Sequence, residues 1–462
     1  MGGFYICPAV CLAVTLLLAV IIPSQADEPD WVDYQNLSLD ILSHLIRFDT
    51  TNPPGNELPL MKYLSRRLKK EGVHCEIFKS DLNRANLIAR CKGDGSQGAF
   101  MIAAHADVVS VEGQKWNYPP FEAVIDDGYI YGRGAMDDKG MLALGAAVLI
   151  MLKREKIPLS GDVILLVTAD EEAGGGKGIQ WMLRRHPDKL KADFALNEGG
   201  RIYMNSDTVQ YAGIATNEKV TYNARLTASG HPGHSSVPNE YNAVYRLAGA
   251  LKALEEAEMP GHLIPPAREF FAGLAPFEPN IRYDPVRDEV TTSIRRYNAM
   301  TKDTFIPTML QASVKNNILP EKAEAVINCR LLPDSDPEVF FQYLREIINE
   351  DSILQLDYIR RREPQMPTSP TTSDLYLAIR ETVSRFWPNA LCLPSISTGS
   401  TDSGKLRKAG IPTYGLLPFP LSSEDSGRMH GPDERLKIED YYTGLRFLYQ
   451  LTIEIAAASE KE

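Results

Sequence analysis

The sequence predicts an α/β protein in which a mixed, mostly parallel sheet is flanked by helices and interrupted by an inserted, ferredoxin-like α+β lid. Short, continuously apolar segments, typical of strands buried on both faces, alternate with helical segments in the first half of the chain. A later segment has alternating strands and two amphipathic helices. The length of 462 residues also exceeds what one hydrophobic core usually holds.

The first buried strand is followed by a histidine and an acid. The apolar run 99–104 predicts a short strand, and His105 and Asp107 come at its end. Because alternate residues of a strand share a face, we expect Asp107 to orient the imidazole of His105. Such a pair on its own is more often an ordinary surface or core pair, so its meaning depends on what lies nearby.

A glycine-containing loop with adjacent acids precedes the next helix. Residues 131–140 contain Asp137 and Asp138 and lead into 141–155, which is rich in Ala, Leu and Met and predicts a helix. Glycines let the backbone approach a ligand closely, and adjacent acids can hold a cation. A helix N-cap explains Asp137 equally well when this acid is taken alone.

Two further predicted strands lead into carboxylates. The run 162–168 is followed by three consecutive acids, including Glu171 and Glu172, which repel one another unless a cation offsets their charge. Residues 193–200 repeat the pattern of a short strand, a carboxylate, here Glu198, and glycines. Ligands of open α/β sheets gather at the carboxyl ends of strands, so these acids predict a shared cation site.

The ordered set of motifs, from about Ile41 to the C-terminal region, resembles that of the M20 family of zinc metallopeptidases and amidohydrolases. That family includes aminoacylases, carboxypeptidase S and carnosine-type dipeptidases. The resemblance implies two Zn²⁺ per subunit, and His and carboxylate ligands also accept Co²⁺ or Mn²⁺. It makes Glu171 the general base, Asp107 the residue that orients a ligand, and the Asp137–Asp138 peptide bond cis. The metal ligands that it implies are His105, Asp137, Glu172, Glu198 and His430.

The lid is predicted at 216–362, between a first catalytic part at 27–215 and a second part at 363–462. Between its first helix and its later strands lies 259–300, which is rich in Pro and Arg and longer than ordinary loops. This segment is either a surface excursion or a part of the substrate access route. The lid elements expected from the sequence are a strand at 218–228, a helix at 239–256, strands at 309–315 and 323–331, a helix at 337–349 and a strand at 354–359.

The break after the first lid strand contains two histidines. The resemblance gives His234 the role of stabilising the oxyanion of the tetrahedral intermediate, often from the partner subunit. His231 is the adjacent competitor for that role. A loop histidine without any role is the plain alternative for both.

Substrate-binding residues are expected from the lid and from one loop of the catalytic part. Arg330 and Asn317 resemble the lid residues that contact a substrate carboxylate or carbonyl, and a guanidinium suits planar carboxylate recognition. A structural ion pair is the alternative for Arg330. Gly399, Ser400 and Thr401 belong to a small-residue loop that resembles the substrate loop of the family.

The first 26 residues are predicted to be a secretory signal peptide. The run 4–22 is almost wholly apolar, and Ser24 and Ala26 form a small-x-small cleavage pattern. An uncleaved membrane anchor is the alternative, because no Lys or Arg precedes the run. A secreted or periplasmic location follows, in which Cys75 and Cys91 either pair or stay buried free thiols.

The net charge of −11 argues against nucleic acid as a partner, because phosphate binding needs clustered Lys and Arg. The expected function is hydrolysis of an amide or peptide bond beside a free carboxylate, by a carboxypeptidase or an N-acyl amino acid amidohydrolase acting as a homodimer through the lid. A carnosine-type dipeptidase and a non-catalytic metal-binding scaffold are the alternatives. The retained Glu171 argues for catalysis.

Overall fold

The computed structural model describes residues 28–358 and 366–458, so the predicted signal peptide lies outside the described residues. In those two ranges, no helix is long and apolar enough to cross a membrane. The strands are β1 (His74–Lys79), β2 (Ala85–Cys91), β3 (Phe100–His105), β4 (Val124–Asp126), β5 (Tyr129–Tyr131), β6 (Val163–Thr168), β7 (Phe194–Asn205), β8 (Thr208–Glu218), β9 (Val220–Ser229), β10 (Gly233–His234), β11 (Ile281–Asp284), β12 (Glu289–Thr292), β13 (Thr304–Gln311), β14 (Ile318–Leu319), β15 (Lys322–Leu331), β16 (Leu354–Tyr358), β17 (Leu391–Ser397), β18 (Thr413–Ser422) and β19 (Arg435–Lys437). The α-helices are α1 (Trp31–Ile46), α2 (Glu57–Lys70), α3 (Lys139–Arg154), α4 (Ile179–Arg185), α5 (Ala243–Glu256), α6 (Pro265–Leu274), α7 (Arg295–Asn298), α8 (Pro337–Ile348), α9 (Asp374–Phe386), α10 (Asp402–Lys408), α11 (Ser423–Ser426) and α12 (Ile438–Ala456).

The large sheet has the strand order β1-β2-β6-β3-β7-β18-β8-β17. Strand β3 is parallel to β6 and β7, β7 is parallel to β18, and β8 is parallel to β17. Strands β1 and β2 add an antiparallel edge. The predicted mixed, mostly parallel sheet is thereby confirmed.

The central strands are apolar throughout because both faces of the sheet are covered. In β3, Phe100 and Ile102 enter the larger core beneath α1, α3 and α12, whereas Met101 enters the opposite core beneath α4 and α10. In β6, Leu165 and Leu166 divide in the same way. Each such side chain contributes about 1.5–3 kcal/mol by burial, so a strand of this kind stabilises both layers of helices.

The lid is an antiparallel sheet of order β13-β15-β9-β16, with α5 and α8 packed on one face. Its chain order, β9-α5-β13-β15-α8-β16, is that of a ferredoxin-like sandwich. Helix α5 begins at Ala243 rather than 239, because the Asn242 side chain accepts hydrogen bonds from two amides of the first turn. Strand β13 ends at Gln311 rather than 315.

Residues 259–300 are not a surface excursion. They form α6, the β11–β12 hairpin and α7, and they bury a cluster that includes Phe270, Phe271 and Tyr297. Tyr211 of β8 and Ile396 of β17 belong to the same cluster, so the insertion packs on the edge of the large sheet.

Cys75 and Cys91 lie in β1 and β2 as buried free thiols. Burial raises the pKa of both thiols to about 11, so each behaves as a small apolar side chain. Of the two alternatives, the structure therefore has free thiols and not a disulfide.

Candidate functional site

The acidic and histidine side chains meet at one edge of the large sheet. His105 ends β3, and Glu171 and Glu172 begin a single 3-10 turn that follows β6. Glu198 does not follow a short strand, as the sequence suggested, but lies inside the twelve-residue strand β7. The next residue, Gly199, has a φ of +116°, which glycine adopts readily, and beyond it β7 pairs with β8 as a hairpin.

Two groups of ligand atoms share one carboxylate. His105 Nε2 lies 2.9 Å from Asp137 Oδ1 and 3.6 Å from Glu198 Oε1. His430 Nε2 lies 3.0 Å from Asp137 Oδ2 and 3.3 Å from Glu172 Oε1. Within each group of three residues, the ligand atoms all lie within 4.8 Å of one another. Asp137 thus presents one oxygen to each histidine, as a bridging carboxylate does.

The charges of this cluster are not balanced by the protein alone. Burial raises the pKa of Glu172 and raises the pKa of Glu198 well above its usual range. Burial lowers the pKa of His105, but hydrogen bonds to Asp107 and Asp137 outweigh this effect and hold it well above its usual range. Glu172 Oε1 is buried without a hydrogen-bond partner. A carboxylate oxygen that is buried without a hydrogen bond, beside the His430 imidazole and the shared Asp137, belongs to a donor set that a divalent metal ion fits.

Asp107 supports the paired glutamates more directly than it supports His105. Its Oδ1 accepts a hydrogen bond from the Glu171 amide at 3.0 Å, and its Oδ2 accepts one from the Glu172 amide at 3.1 Å. The His105 Nδ1 atom lies 2.9 Å from the backbone oxygen of Asp107 and 3.6 Å from its carboxylate. The imidazole is therefore oriented mainly through the backbone carbonyl of Asp107.

A buried network behind Asp107 was not recognised from the sequence. Asn52 Nδ2 donates to Asp107 Oδ2 at 2.7 Å and to Asp170 Oδ1 at 3.1 Å. Arg84 joins Asp170 Oδ1, at 3.0 Å, to the fully buried carboxylate of Glu57, at 2.7 Å. Asp170 has a φ of +66°, which turns the chain from β6 into the 3-10 turn. The position of Glu171 and Glu172 therefore depends on a hydrogen-bonded network that joins the segments around residues 52–57, 84, 107 and 170.

A second pair that the sequence did not single out supports the bridging acid. Arg133 and Glu434 form a buried ion pair at 2.6 Å. The Glu434 carboxylate also accepts hydrogen bonds from the amides of Met136 and Asp137. Arg133 lies in the glycine-containing segment 131–140, and Glu434 lies four residues after His430. This proximity to two predicted ligands was the signal that could have identified them.

The N-cap alternative for Asp137 does not hold. Helix α3 begins at Lys139, so Asp138 occupies the N-cap position, and its side chain makes no capping hydrogen bond. The Asp137–Asp138 peptide bond is cis. Asp137 is instead directed toward His105 and His430.

A cleft of about 1110 Å³ begins at these carboxylates and continues beneath the lid. Glu171 lies on its wall, outside both groups of ligand atoms, and burial raises the pKa of its carboxyl well above its usual range. A raised pKa makes a carboxylate a stronger proton acceptor than an exposed one. The loop residues Gly399, Ser400 and Thr401 also line the cleft. The hydroxyl and amide of Thr401 both donate to Glu218, so they hold the loop in place.

Arg330 enters the same cleft from the lid. Its Nη1 donates to the Thr221 hydroxyl at 2.7 Å, and its Nε donates to Asn328 Oδ1 at 3.0 Å. Among the described residues it makes no ion pair with a carboxylate, so the alternative of a structural ion pair finds no support.

His234 and Asn317 do not reach the cleft of their own chain. His234 pairs with Ile318 in the small β10–β14 ladder and lies exposed, with its Nδ1 2.8 Å from the Ser236 hydroxyl. Asn317, also exposed, accepts a hydrogen bond through its backbone oxygen from the Ser235 amide. His231 is exposed as well and contacts the Tyr241 ring. One chain by itself therefore supplies no histidine from this segment to the site.

Comparisons with known proteins agree with this geometry. The model of peptidase family M20/M25/M40 matches residues 101–454. The N-fatty-acyl-amino acid synthase/hydrolase PM20D1 of Xenopus tropicalis is 30% identical, over 76% of this chain and 71% of the relative. The probable carboxypeptidase S-like 2 of Dictyostelium discoideum is 29% identical, over 82% of this chain and 76% of the relative.

The fold is also shared with solved structures. The M20 family metallo-carboxypeptidase Sso-CP2 from Sulfolobus solfataricus superposes with a TM-score of 0.69 at 20% identity, over 90% of this chain and 98% of that chain. The family match covers most of the chain and includes every predicted metal ligand. The chain therefore belongs to peptidase family M20/M25/M40 and is a metal-dependent hydrolase.

Proposed function

We propose that this chain is a di-zinc amidohydrolase that cleaves N-acyl amino acids and releases the free amino acid. One observation carries the proposal: Asp137 contacts both His105 and His430, while Glu171 lies beside them in the cleft and outside both ligand groups. This arrangement combines metal ligands with a separate base. The N-fatty-acyl-amino acid relatives support an acyl substrate.

His105, Asp137, Glu172, Glu198 and His430 would hold the two ions, which supply Lewis acidity to the scissile carbonyl and to the attacking water. Glu171 takes a proton from that water and delivers it to the leaving nitrogen. Its raised pKa, caused by burial, suits both directions of proton transfer. Asp107 holds the amides of Glu171 and Glu172 and so keeps the base and the ligand apart.

Arg330 binds the substrate carboxylate in this proposal. Its Thr221 and Asn328 contacts are neutral, so the guanidinium keeps its charge for a ligand. Gly399 and Ser400 line the same cleft. A planar guanidinium favours a carboxylate with two parallel hydrogen bonds, which selects substrates with a free α-carboxylate.

The experiment is the variant Glu171→Ala. Hydrolysis should fall by about 100-fold or more while folding and bound metal persist, because the base is not a ligand. The matched control is Glu172→Ala, which should lose metal together with activity. Unchanged activity in Glu171→Ala would contradict the assignment of the base. A metal-loaded wild type without activity on any amide would favour a non-catalytic scaffold.

A carboxypeptidase is the second candidate, because the same Arg330 would bind the C-terminal carboxylate of a peptide. A carnosine-type dipeptidase would accept free-amino dipeptides. One panel of N-acetyl, N-long-acyl and free-amino dipeptide substrates separates the three activities by kcat/KM. A preference for substrates without a carboxylate would contradict the role of Arg330.

The proposal includes a homodimer formed through the lid. Strand β13 is an edge strand of the lid sheet, and it exposes Ile306, Met309 and Leu310. Val237, close to His234, is also largely exposed. An exposed edge strand with apolar side chains favours pairing with another chain. Association there would carry His234 toward the partner's cleft, where it would stabilise the oxyanion.

Mixing two inactive variants tests this arrangement. Glu171→Ala chains keep His234, and His234→Ala chains keep Glu171, so a mixed dimer contains one complete site. Activity should return on mixing and should fail to return when both chains carry Leu310→Glu, which places a charge on the edge. Full activity of His234→Ala alone would exclude the role of this histidine.

The proposed location is secreted or periplasmic, after removal of residues 1–26. Sequencing the N-terminus of the mature protein should find Asp27 as its first residue. A mature chain that begins at Met1 or Gly2 and stays with membranes would instead favour the anchor alternative.

A further inference from the structure

The cleft continues beyond the metal-binding carboxylates along strand β7. Arg201 and Tyr203 lie on the same face of β7, two residues apart, and both line the cleft. The insertion 259–300 adds Phe270, Arg296 and Tyr297 to the lining of this part of the cleft. We call this part of the cleft the aromatic arm. Tyr203 lies five residues beyond Glu198, which places the arm at most about 16 Å from the metal-binding end.

Arg296 lies inside the aromatic arm between two rings. Its guanidinium carbon is 4.7 Å from the centre of the Tyr203 ring and 4.6 Å from that of Tyr297. Its Nη2 donates to the Tyr297 hydroxyl at 2.9 Å, and that hydroxyl lies 2.7 Å from the Tyr211 hydroxyl. The rings therefore hold the guanidinium in one orientation. Cation–π contacts of this kind are favourable but leave the positive charge without a counter-charge.

No carboxylate neutralises this charge in residues 28–358 and 366–458. Arg296 makes no ion pair there, and its Nε is buried without a hydrogen-bond partner. Arg201, a second cation of the lining, donates hydrogen bonds to the Ser426 hydroxyl and to the Met429 sulfur, and it has no carboxylate partner among the described residues. A half-buried guanidinium is costly when it has no anionic partner. Two such guanidinium groups in the lining of one cleft predict that an anion from the substrate completes the arm.

We propose that the aromatic arm binds a second carboxylate of the substrate, at the end of the acyl group remote from the scissile bond. Arg296 binds this carboxylate, and Arg201 adds a second positive charge. The methylene chain of such an acyl group lies against the rings of the arm, as apolar contacts require. The preferred substrates are then N-(ω-carboxyacyl) amino acids. This inference rests on the proposed function, because it names the acyl group of that reaction.

The structural alternative is that Arg296 only fastens the insertion to β7 by stacking on Tyr203. The two roles differ in what a charge at the end of the substrate does. A fastening residue affects every substrate alike, whereas an anion-binding residue affects only substrates that carry the second carboxylate.

The test compares matched acyl groups on one amino acid. N-octanoyl-L-leucine and N-(7-carboxyheptanoyl)-L-leucine have the same chain length and differ in the terminal group. We expect the wild-type enzyme to favour the carboxylate by about 10-fold or more in kcat/KM, mostly through KM. Arg296→Met should remove this preference, and it should change kcat/KM for the octanoyl substrate by less than about threefold. The control Arg295→Met changes an exposed arginine outside the cleft on the same helix and should preserve the preference.

Chain length supplies a further readout. Across N-acyl groups that end in a carboxylate after four, six, eight and ten carbons, the preference should peak at one length, because Arg296 is fixed. If Arg296→Met lowers kcat/KM for both substrates to the same degree, the inference is overturned in favour of the fastening role. Preference of the wild type for the octanoyl substrate would overturn it as well.

Binding separates this inference from the proposed function. Calorimetry with octanedioate and octanoate on the Glu171→Ala enzyme needs no turnover. Octanedioate should bind about 10-fold more tightly, and Arg296→Met in the same background should abolish the difference. If no amide is cleaved but this difference is found, the proposed function fails and the anion site remains. If octanoyl-leucine is cleaved without any such difference, the anion site fails and the function remains.

Discussion

The Glu434 carboxylate accepts a hydrogen bond from the Asp137 amide at 3.1 Å, although 297 residues separate the two in the chain. It also accepts one from Met136 at 2.8 Å and pairs with buried Arg133. The orientation of Asp137, the carboxylate shared by both groups of ligand atoms, therefore depends on an acid from the far end of the chain. Neither Arg133 nor Glu434 has appreciable solvent exposure, so their pairing cannot be replaced by water.

Glu434→Gln should destabilise the protein by about 3 kcal/mol, because the buried Arg133 loses its counter-charge. Urea unfolding measures this loss, and metal content after dialysis should fall in parallel as Asp137 loses its support. The control is Glu424→Gln, whose exposed side chain pairs with Arg428 and Arg435 at the surface. That change should cost less than about 1 kcal/mol. Equal stability of the two variants would contradict this account.

Arg84→Met should cost about 3–5 kcal/mol at neutral pH, since the buried carboxylates of Glu57 and Asp170 lose their shared cation. The difference from wild type should shrink in acid, because burial already raises the pKa of Glu57 and a protonated carboxyl tolerates burial. Urea unfolding at several pH values checks both statements. Arg90→Met removes a more exposed pair with Asp162 and should cost about 1 kcal/mol or less at every pH. If the loss of unfolding free energy in Arg84→Met does not depend on pH, the unpaired carboxylates of Glu57 and Asp170 are not its cause.

Removal of metal should lower the melting temperature. Asp137, Glu172 and Glu198 are largely buried acids with ligand atoms close together, and a bound cation stabilises only the folded arrangement. Scanning calorimetry after chelation, followed by titration with Zn²⁺, Co²⁺ or Mn²⁺, measures the recovery. Glu171→Ala should keep the metal-dependent shift and Glu172→Ala should lose most of it. A melting temperature indifferent to chelation would argue against the metal centre.

Asp440, in the first turn of α12, should make the protein less stable as the pH rises. Burial raises its pKa to about 6 from 3.8, so the folded state holds the proton more tightly than the unfolded state. The stabilisation from proton binding by Asp440 is complete below about pH 4 and is lost as the pH rises through about 6. Asp440→Asn should therefore stabilise by about 1 kcal/mol at pH 8, after allowance for partial exposure, and by little at pH 4. Denaturant unfolding at pH 4 and pH 8 measures the two effects, and Glu439→Gln, at an exposed neighbouring position, is the control. Equal changes in the free energy of unfolding at the two pH values would refute the prediction.

Much of the fold was predictable because its signal is local. The runs around β3 and β6 are apolar on both faces, and that pattern alone identifies strands covered by helices on both sides. The lid order followed from the same kind of signal, with errors at element ends such as Ala243, where the cap of Asn242 decides the boundary. The sequence does not predict where the insertion 259–300 packs, because its contacts are with Tyr211 and Ile396, which belong to strands distant from it in the chain.

The sequence by itself determined which residues were candidates for the chemistry, since carboxylates and histidines at the ends of apolar strands are visible in the order of the chain. Only the tertiary structure decided which partners hold them: Asn52 and Arg84 behind Asp107, and Glu434 behind Asp137. The tertiary structure brought Arg201 and Arg296 into one cleft. It also placed His234 outside the cleft of its own chain. The physical reason is that hydrophobic periodicity is a property of neighbouring residues, whereas a buried hydrogen bond depends on which distant segments meet when the sheet closes.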